Sequence, residues 1–407
     1  MFRDRKEIVV MKFGGTSVAG AEKMRRVADR IIAVKNSGKD VVVAVSAMGK
    51  TTDNLIGLAS EITDNPSRRE MDVLLSTGEQ VSIAILTMAI HEKGYSCVSL
   101  TGIQAGVYTD DVYSEAKILN VKADRIHKEL KAGNIVIVAG FQGSNHNGDI
   151  TTLGRGGSDT TAVALAAALK AGYCEIFTDV DGVFSTDPNL VAEAVKKHSV
   201  SYDEMLELAS SGAKVLHLRA VEFAKKHDVV IHVRSSFNNS EGTWVMDAGK
   251  IDKRMEKPLI TGVTYDTNQV KISIFELEDK PGEAARLFGK FADNDINIDL
   301  IVQNVSEKGL AAISITIKNE DLPIARKVLD ELEQKHIEID DDIAKISIVG
   351  AGMQSHPGVA ARMFKLLAED GINIEMISTS PIRISCVIRK AKAKEAVKSL
   401  HNGFDIE

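Results

Sequence analysis

The stretch Glu7-Ile-Val-Val-Met-Lys-Phe-Gly-Gly-Thr-Ser-Val18 runs an apolar strand straight into a lysine and a pair of glycines. Its apolar residues do not alternate with polar ones, as in a strand buried on both faces of a parallel sheet. Lys12 falls at the carboxyl end of that strand, where open α/β sheets place their ligands. Gly14 and Gly15 let backbone amides approach an anion with no Cβ in the way. The spacing fits neither Gly-x-x-x-x-Gly-Lys-Ser/Thr nor Gly-x-Gly-x-x-Gly, so P-loop and Rossmann readings both fail. An ordinary strand-end lysine is the plain alternative for Lys12, and its place between a buried strand and Gly-Gly weighs against it.

A second glycine-rich run, Thr151-Thr-Leu-Gly-Arg-Gly-Gly-Ser-Asp-Thr-Thr-Ala162, leads into the apolar helix former Ala162–Leu169. Ser158 or Asp159 reads as the N-cap and Gly172 as the closing residue. Free amides and the helix dipole favour an anion at such an N-terminus, and Arg155 adds a fork suited to a carboxylate or phosphate.

Between and beyond these runs, apolar strands are expected at Ile8–Phe13, Val41–Ser46, Ser96–Leu100, Ile135–Ala139, Glu175–Asp179 and Val229–Val233. Helical patterns separate them at Ala21–Asn36, Gln80–Lys93, Glu115–Ala132, Asp203–Ser211 and Leu218–His227. This alternation implies an α/β fold, a mainly parallel sheet sandwiched by helices. At 407 residues the chain is long enough for two or three domains. The net charge of −7 and the lack of a basic block argue against nucleic acid. No metal pattern joins the three cysteines, which read as reduced thiols of a cytoplasmic protein. No signal peptide is expected, nor an apolar stretch of the roughly 20 residues that a membrane helix needs.

Asn238–Pro258 is polar and irregular and reads as a linker. Beyond it lies an internal repeat. Lys271-Ile-Ser-Ile274 recurs as Lys345-Ile-Ser-Ile348, Pro281-Gly-Glu-Ala-Ala-Arg-Leu-Phe288 as Pro357-Gly-Val-Ala-Ala-Arg-Met-Phe364, and Ile296-Asn-Ile-Asp299 as Ile372-Asn-Ile-Glu375. Each copy reads as a ferredoxin-like βαββαβ unit. The expected domains are 1–250, 262–337 and 342–407.

Lys12-Phe-Gly-Gly-Thr-Ser17, Val45-Ser-Ala-Met-Gly49, Ser76-Thr-Gly-Glu79, Ala139-Gly-Phe-Gln-Gly143 and the Thr151–Ala162 run together resemble the amino-acid kinase family, and within it the aspartokinases. The repeats resemble ACT domains, modules that bind amino acids. The resemblance covers essentially the whole chain, in order. It implies phosphoryl transfer from ATP to the β-carboxylate of L-aspartate, the first step towards lysine, threonine, methionine and diaminopimelate. Mg²⁺ would come with ATP as a substrate complex, with no permanently bound cofactor or metal. A carboxylate is ionised at neutral pH, so no general base is needed.

The resemblance makes Lys12, Arg155, Asp159 and Lys214 the catalytic set. Ser46, Thr52, Glu79, Arg155 and Ser158 would hold aspartate, with Arg155 on a carboxylate and Glu79 on the ammonium. Lys12, Gly14, Gly15, Ser17, Thr178, Asp179, Phe184 and Lys214 would hold ATP. Each has a plainer reading: Glu79 as a first-turn acid, Asp159 as a cap, Lys214 as a solvated helix lysine. Two positions depart from the family pattern: Asn189 replaces a usual arginine, and Leu218 a common proline.

In the repeats, Asp279, Gly282, Ala284, Asp299, Gln303, Asn373 and Ile374 would bind an effector, lysine and/or threonine. The resemblance further implies a homo-oligomer formed through the ACT domains, and a short regulatory subunit translated from Met246 or Met255 is an open possibility. Two other readings compete: a kinase of the same fold acting on another substrate, and a catalytically silent amino-acid sensor, for which Asn189 is the support.

Overall fold

Unbroken apolar strands need cover on both faces, and the first unit of the structure provides it. The structure is a computed structural model that describes residues 6–251, 259–305, 309–332 and 336–406. Residues 6–183, 196–209 and 214–251 form one compact unit, and 184–195, 210–213 and the described residues from 259 onward form another.

The first unit contains, in chain order, β1 (Ile8–Phe13), α1 (Ala21–Asn36), β2 (Asp40–Val45), α2 (Thr51–Ser60), α3 (Arg68–Glu92), β3 (Cys97–Leu100), β4 (Val107–Thr109), β5 (Ile118–Val121) and α4 (Asp124–Lys131). There follow β6 (Ile135–Ala139), β7 (Gln142–Ser144), β8 (Ile150–Thr152), α5 (Gly157–Leu169), β9 (Tyr173–Thr178), β10 (Ser199–Ser201), α6 (Tyr202–Ser210), α7 (Leu218–His227), β11 (Ile231–Ser235), β12 (Thr243–Met246) and α8 (Ala248–Ile251). The main sheet runs β10-β12-β11-β9-β1-β2-β6-β3, with only β11 and β12 antiparallel. Strand β1 lies between β2 and β9, which places Lys12 opposite Ala44 and Ile176. The loops after β1, β2 and β9 therefore leave the sheet side by side, at a switch point of the kind that holds ligands. On one face Val9, Met11 and Phe13 pack with Met24, Ile31, Ile83, Leu86 and Ile90. Each such fully buried side chain contributes about 1.5–3 kcal/mol.

Several expectations are corrected here. Helix α3 begins at Arg68, not at residue 80, and spans 25 residues. It is long and apolar enough to cross a membrane by composition, contrary to the expectation of no such stretch, but it packs as a core helix carrying buried Asp72 and Glu79. The 115–132 helix is instead β5 followed by α4, because β5 pairs with β4. The expected 238–258 linker contains β12, which pairs with β10 and β11. Its residues 252–258, Met255 included, lie outside the described residues. Met246 ends β12.

The second unit holds β13 (Gly262–Asp266), β14 (Gln269–Glu278), α9 (Glu283–Asp293), β15 (Leu300–Val305), β16 (Leu310–Lys318), α10 (Leu322–Glu331), β17 (Ile337–Asp340), β18 (Ile343–Val349), α11 (Val359–Glu369), β19 (Met376–Ser380), β20 (Arg383–Arg389) and α12 (Ala393–Gly403). The first repeat forms an antiparallel sheet ordered β15-β16-β14-β17, and the second a sheet ordered β13-β18-β20-β19. Strand β13, expected within the 262–337 domain, thus fills the fourth-strand position of the other repeat. Segment 184–195 also belongs to this unit, where Val191 enters the core of the second repeat. The repeats are cross-tied. Lys271 of the first pairs with Glu375 of the second, and the equivalent Lys345 of the second pairs with Asp299 of the first. Lys345 is fully buried and also donates to the Ser210 carbonyl at 3.2 Å.

Candidate active site

Lys12 reaches from β1 to Asp159 in the first turn of α5, with Nζ and Oδ1 2.5 Å apart and both side chains nearly covered. The glycines beside it serve close approach. A Cβ on Gly15 would lie 2.7 Å from the Ala47 carbonyl, and one on Gly14 would meet Lys12 Nζ at 3.5 Å. Ser46 follows β2, and its amide donates to the Phe13 carbonyl at 3.1 Å, which keeps the two loops together. Ser17 Oγ lies 2.6 Å from Ser236 Oγ. Thr52 occupies the first turn of α2 and is half-buried.

Glu79 is buried midway along α3, which removes the first-turn reading. Its Oε1 accepts the Ala47 amide at 3.0 Å, while buried Oε2 has no hydrogen-bond partner. Burial pushes its carboxyl up to about 7, against the opposing Ala47 N–H. A buried carboxylate with one oxygen unpaired is a ready site for a cation such as an ammonium.

The Arg155 loop is built by glycines in the left-handed region. Gly154 has φ 72° and Gly156 has φ 73°. A Cβ on Gly156 would lie 2.1 Å from the His217 ring. The N-cap of α5 is Gly156, not Ser158 or Asp159, because the helix begins at Gly157. Both side chains are thereby released from capping and lie in its first turn, whose amides lack intrahelical partners. Lys170 in left-handed conformation, not Gly172, ends the helix. Arg155 itself is exposed, as are Lys214 and Asp179, while Thr178 donates to Asp179 at 3.0 Å. The loop bearing Lys214 leads to His217, the N-cap of α7. Leu218 is that helix's first residue, a position where a proline would also fit.

The structure thus gathers Lys12, Gly14, Gly15, Ser46, Glu79, Ser158 and Asp159 around the ends of β1 and β2. Phe184 and Asn189 belong to the second unit, whereas Thr178 and Asp179 belong to the first. Asn189 caps its own turn, its amide and side chain both donating to Asp187. Sequence reasoning missed His217, whose buried Nδ1 has no partner and whose pKa is lowered chiefly by burial. It also missed Asp72 and Arg219. The sole local signal for Asp72 is its place seven residues before Glu79, on the same helix face.

In the repeats, Gly282 and its counterpart Gly358 are N-caps of α9 and α11, both at positive φ. Asp279, Gln303 and Asn373 are exposed, and Ala284 and Ile374 half-buried. Asp299, expected among the effector-binding residues, already holds the Lys345 ammonium. Among the described residues, no group of three or more His, Cys, Asp or Glu is arranged to hold a metal ion.

Comparison with known proteins agrees with this architecture. The sequence matches the amino acid kinase family over residues 7–235 and ACT domains over 272–336 and 346–404. It is 51% identical over 399 residues to the aspartokinase of Geobacillus stearothermophilus, covering 98% of this chain and 97% of that one. The crystal structure of E. coli aspartokinase III with aspartate and ADP (R-state) superposes with a TM-score of 0.83 at 27% identity, covering 98% and 99% of the two chains. The same enzyme with lysine and aspartate (T-state) gives 0.76 at 27% identity, covering 98% and 100%.

Proposed function

The chain belongs to the amino-acid kinase family and, within it, to the aspartokinases; from that premise we propose that it transfers the γ-phosphoryl of ATP to the β-carboxylate of L-aspartate, giving 4-phospho-L-aspartate and ADP. The observation that carries this reading is the pairing of Lys12 with Asp159 beside Gly14 and Gly15, in the same unit as Glu79, whose buried Oε2 has no partner. The acceptor carboxylate needs no deprotonation, so the residues position substrates and neutralise charge. Lys12 meets the transferring phosphoryl, held in place by Asp159. Gly14 and Gly15 amides approach phosphate oxygens, with Ser17, Thr178, Asp179 and Lys214 on the nucleotide side. Glu79 Oε2 takes the aspartate ammonium, Arg155 grips its α-carboxylate, and Ser46, Thr52 and Ser158 add hydroxyl donors. ATP enters as its Mg²⁺ complex, with the metal held by phosphates and water.

Feedback inhibition by lysine, threonine or both fits two ACT repeats with Pro-Gly helix starts. Asp279, Gly282, Ala284, Gln303, Asn373 and Ile374 are the proposed effector contacts, and Asp299 would join them only by releasing Lys345. Exposed Ile301 and Ile377, at matching positions of β15 and β19, suit pairing of copies through the repeats. A regulatory subunit started at Met246 would lose the main sheet and keep both repeats. Three buried unpaired cysteines suit a cytoplasmic setting, and the reaction would open the route to lysine, threonine, methionine and diaminopimelate.

The test is Lys12→Ala. Loss of aspartate-dependent ADP release by 100-fold or more, on the order seen when an electrostatic stabiliser is removed, is expected. Unchanged turnover would overturn the reading.

A further inference from the structure

Asp72 is a fully buried carboxylate that takes no part in the chemistry above. It lies on α3, and Asp72, Leu75, Ser76 and Glu79 share one helix face. Its oxygens divide their work. Oδ2 accepts the backbone amides of Ser114 and Thr152, each at 2.9 Å, and Oδ1 accepts their hydroxyls at 3.2 and 2.7 Å. Thr152 ends β8, three residues before Arg155. Ser114 sits at φ 71°, unusual for a residue with a side chain, and its carbonyl packs against Gly154 at the foot of the Arg155 loop.

The residues leading into that loop are held one by one. Thr152 is fixed through its amide by Asp72 and through its carbonyl by the Ala116 amide. Leu153 donates to the Phe141 carbonyl at 2.8 Å and accepts from Arg219 Nη1 at 2.7 Å. Arg219 Nη2 also binds the Ala116 carbonyl at 2.6 Å. The Gly154 carbonyl in turn accepts the Gly157 amide at 3.0 Å, and the exposed Arg155 side chain projects from this held segment. One rigid helix therefore carries both the Glu79 carboxylate and the anchor of the Arg155 loop.

We propose that Asp72 is a positioning residue that sets the separation between Glu79 and the Arg155 loop, and with it how tightly the site grips the ammonium and α-carboxylate of its amino acid. This rests on the reading that Glu79 holds the ammonium of aspartate and Arg155 its α-carboxylate.

The test compares wild type, Asp72→Ala and Asp72→Asn in ATP-dependent acyl phosphate formation, varying aspartate and ATP separately. Asp72→Ala leaves two buried amides without an acceptor and frees the loop. KM for aspartate should rise on the order of 10- to 100-fold, the scale of an ångström misplacement, with KM for ATP within about twofold. Asp72→Asn should retain near-normal KM, since its carbonyl can accept both amides while its NH₂ donates to both hydroxyls turned to accept. An unchanged KM for aspartate in folded Asp72→Ala, or equal rises for aspartate and ATP, would overturn the proposal. Should that variant fail to fold, Ser114→Ala combined with Thr152→Val removes only the hydroxyl bonds. A severalfold rise in KM for aspartate alone supports the proposal, and no change overturns it. Wild type inactive with aspartate would overturn the functional reading and this proposal together, whereas active wild type with an indifferent Asp72→Ala overturns this proposal alone.

Discussion

Glu79 should reveal itself through pH. Its carboxyl, raised from 4.5 to about 7 by burial, must be ionised to hold an ammonium. Below pH 7 the free enzyme is protonated there, so KM for aspartate should rise about tenfold per pH unit, and about tenfold in all between pH 8 and pH 6. The same shift bears on stability. A carboxyl whose folded pKa lies above its unfolded value destabilises the fold as pH rises from 4.5 through 7, with the full cost present above 7. Between pH 5 and pH 8 that cost grows by about 2–3 kcal/mol. Glu79→Gln removes the titration while leaving Oε1 able to accept the Ala47 amide. Relative to wild type, the variant should therefore gain about 2–3 kcal/mol over that pH interval in urea unfolding, whatever the fixed cost of its own unpaired amide. Its KM for aspartate should be raised about 10- to 100-fold, for loss of a charge-assisted hydrogen bond of roughly 1.5–3 kcal/mol, and should no longer depend on pH. A wild-type KM flat from pH 6 to pH 8, or a variant whose relative stability does not move with pH, would refute the reasoning.

Three further outcomes follow from contacts elsewhere. Asp299→Ala strands the buried Lys345 ammonium and should cost about 3–5 kcal/mol in chemical unfolding, much of it recovered in the Asp299→Ala/Lys345→Met double variant. Gly156→Ala forces a Cβ to within 2.1 Å of the His217 ring at a φ suited to glycine, so kcat/KM should fall on the order of 100-fold. Lys12→Ala should abolish turnover while aspartate binding, measured by calorimetry, stays within about threefold, since its role lies with the phosphoryl group.

The sheet was legible because doubly buried strands write themselves as unbroken apolar runs. Ile8–Phe13 and Ile135–Ala139 have the bounds their residues suggest. Helix α3 was half hidden because its first turns carry Arg68, Arg69, Glu70, Asp72 and Ser76, and the Ser-Thr-Gly-Glu run inside it reads as a loop. Strand β12 is a short element whose support is its pairing with β10 on one side and β11 on the other, and β5 owes its state to β4. The placement of β13 leaves no local trace, since β13 beside β18 and β17 beside β14 fill equivalent edges of the two sheets. Within the site, Lys12 and the glycine runs were visible because backbone approach to an anion constrains residue type. Asp72 and His217 were not. Their importance comes from what the fold packs against them: Ser114 and Thr152 against the one, Gly156 against the other.

The central claim is most directly tested by ATP- and L-aspartate-dependent acyl phosphate formation, trapped with hydroxylamine, with and without lysine and threonine. Aspartyl hydroxamate that requires both substrates and falls when either effector, or the pair, is added is the predicted result. Folded protein that binds aspartate and ATP yet forms no hydroxamate would contradict it.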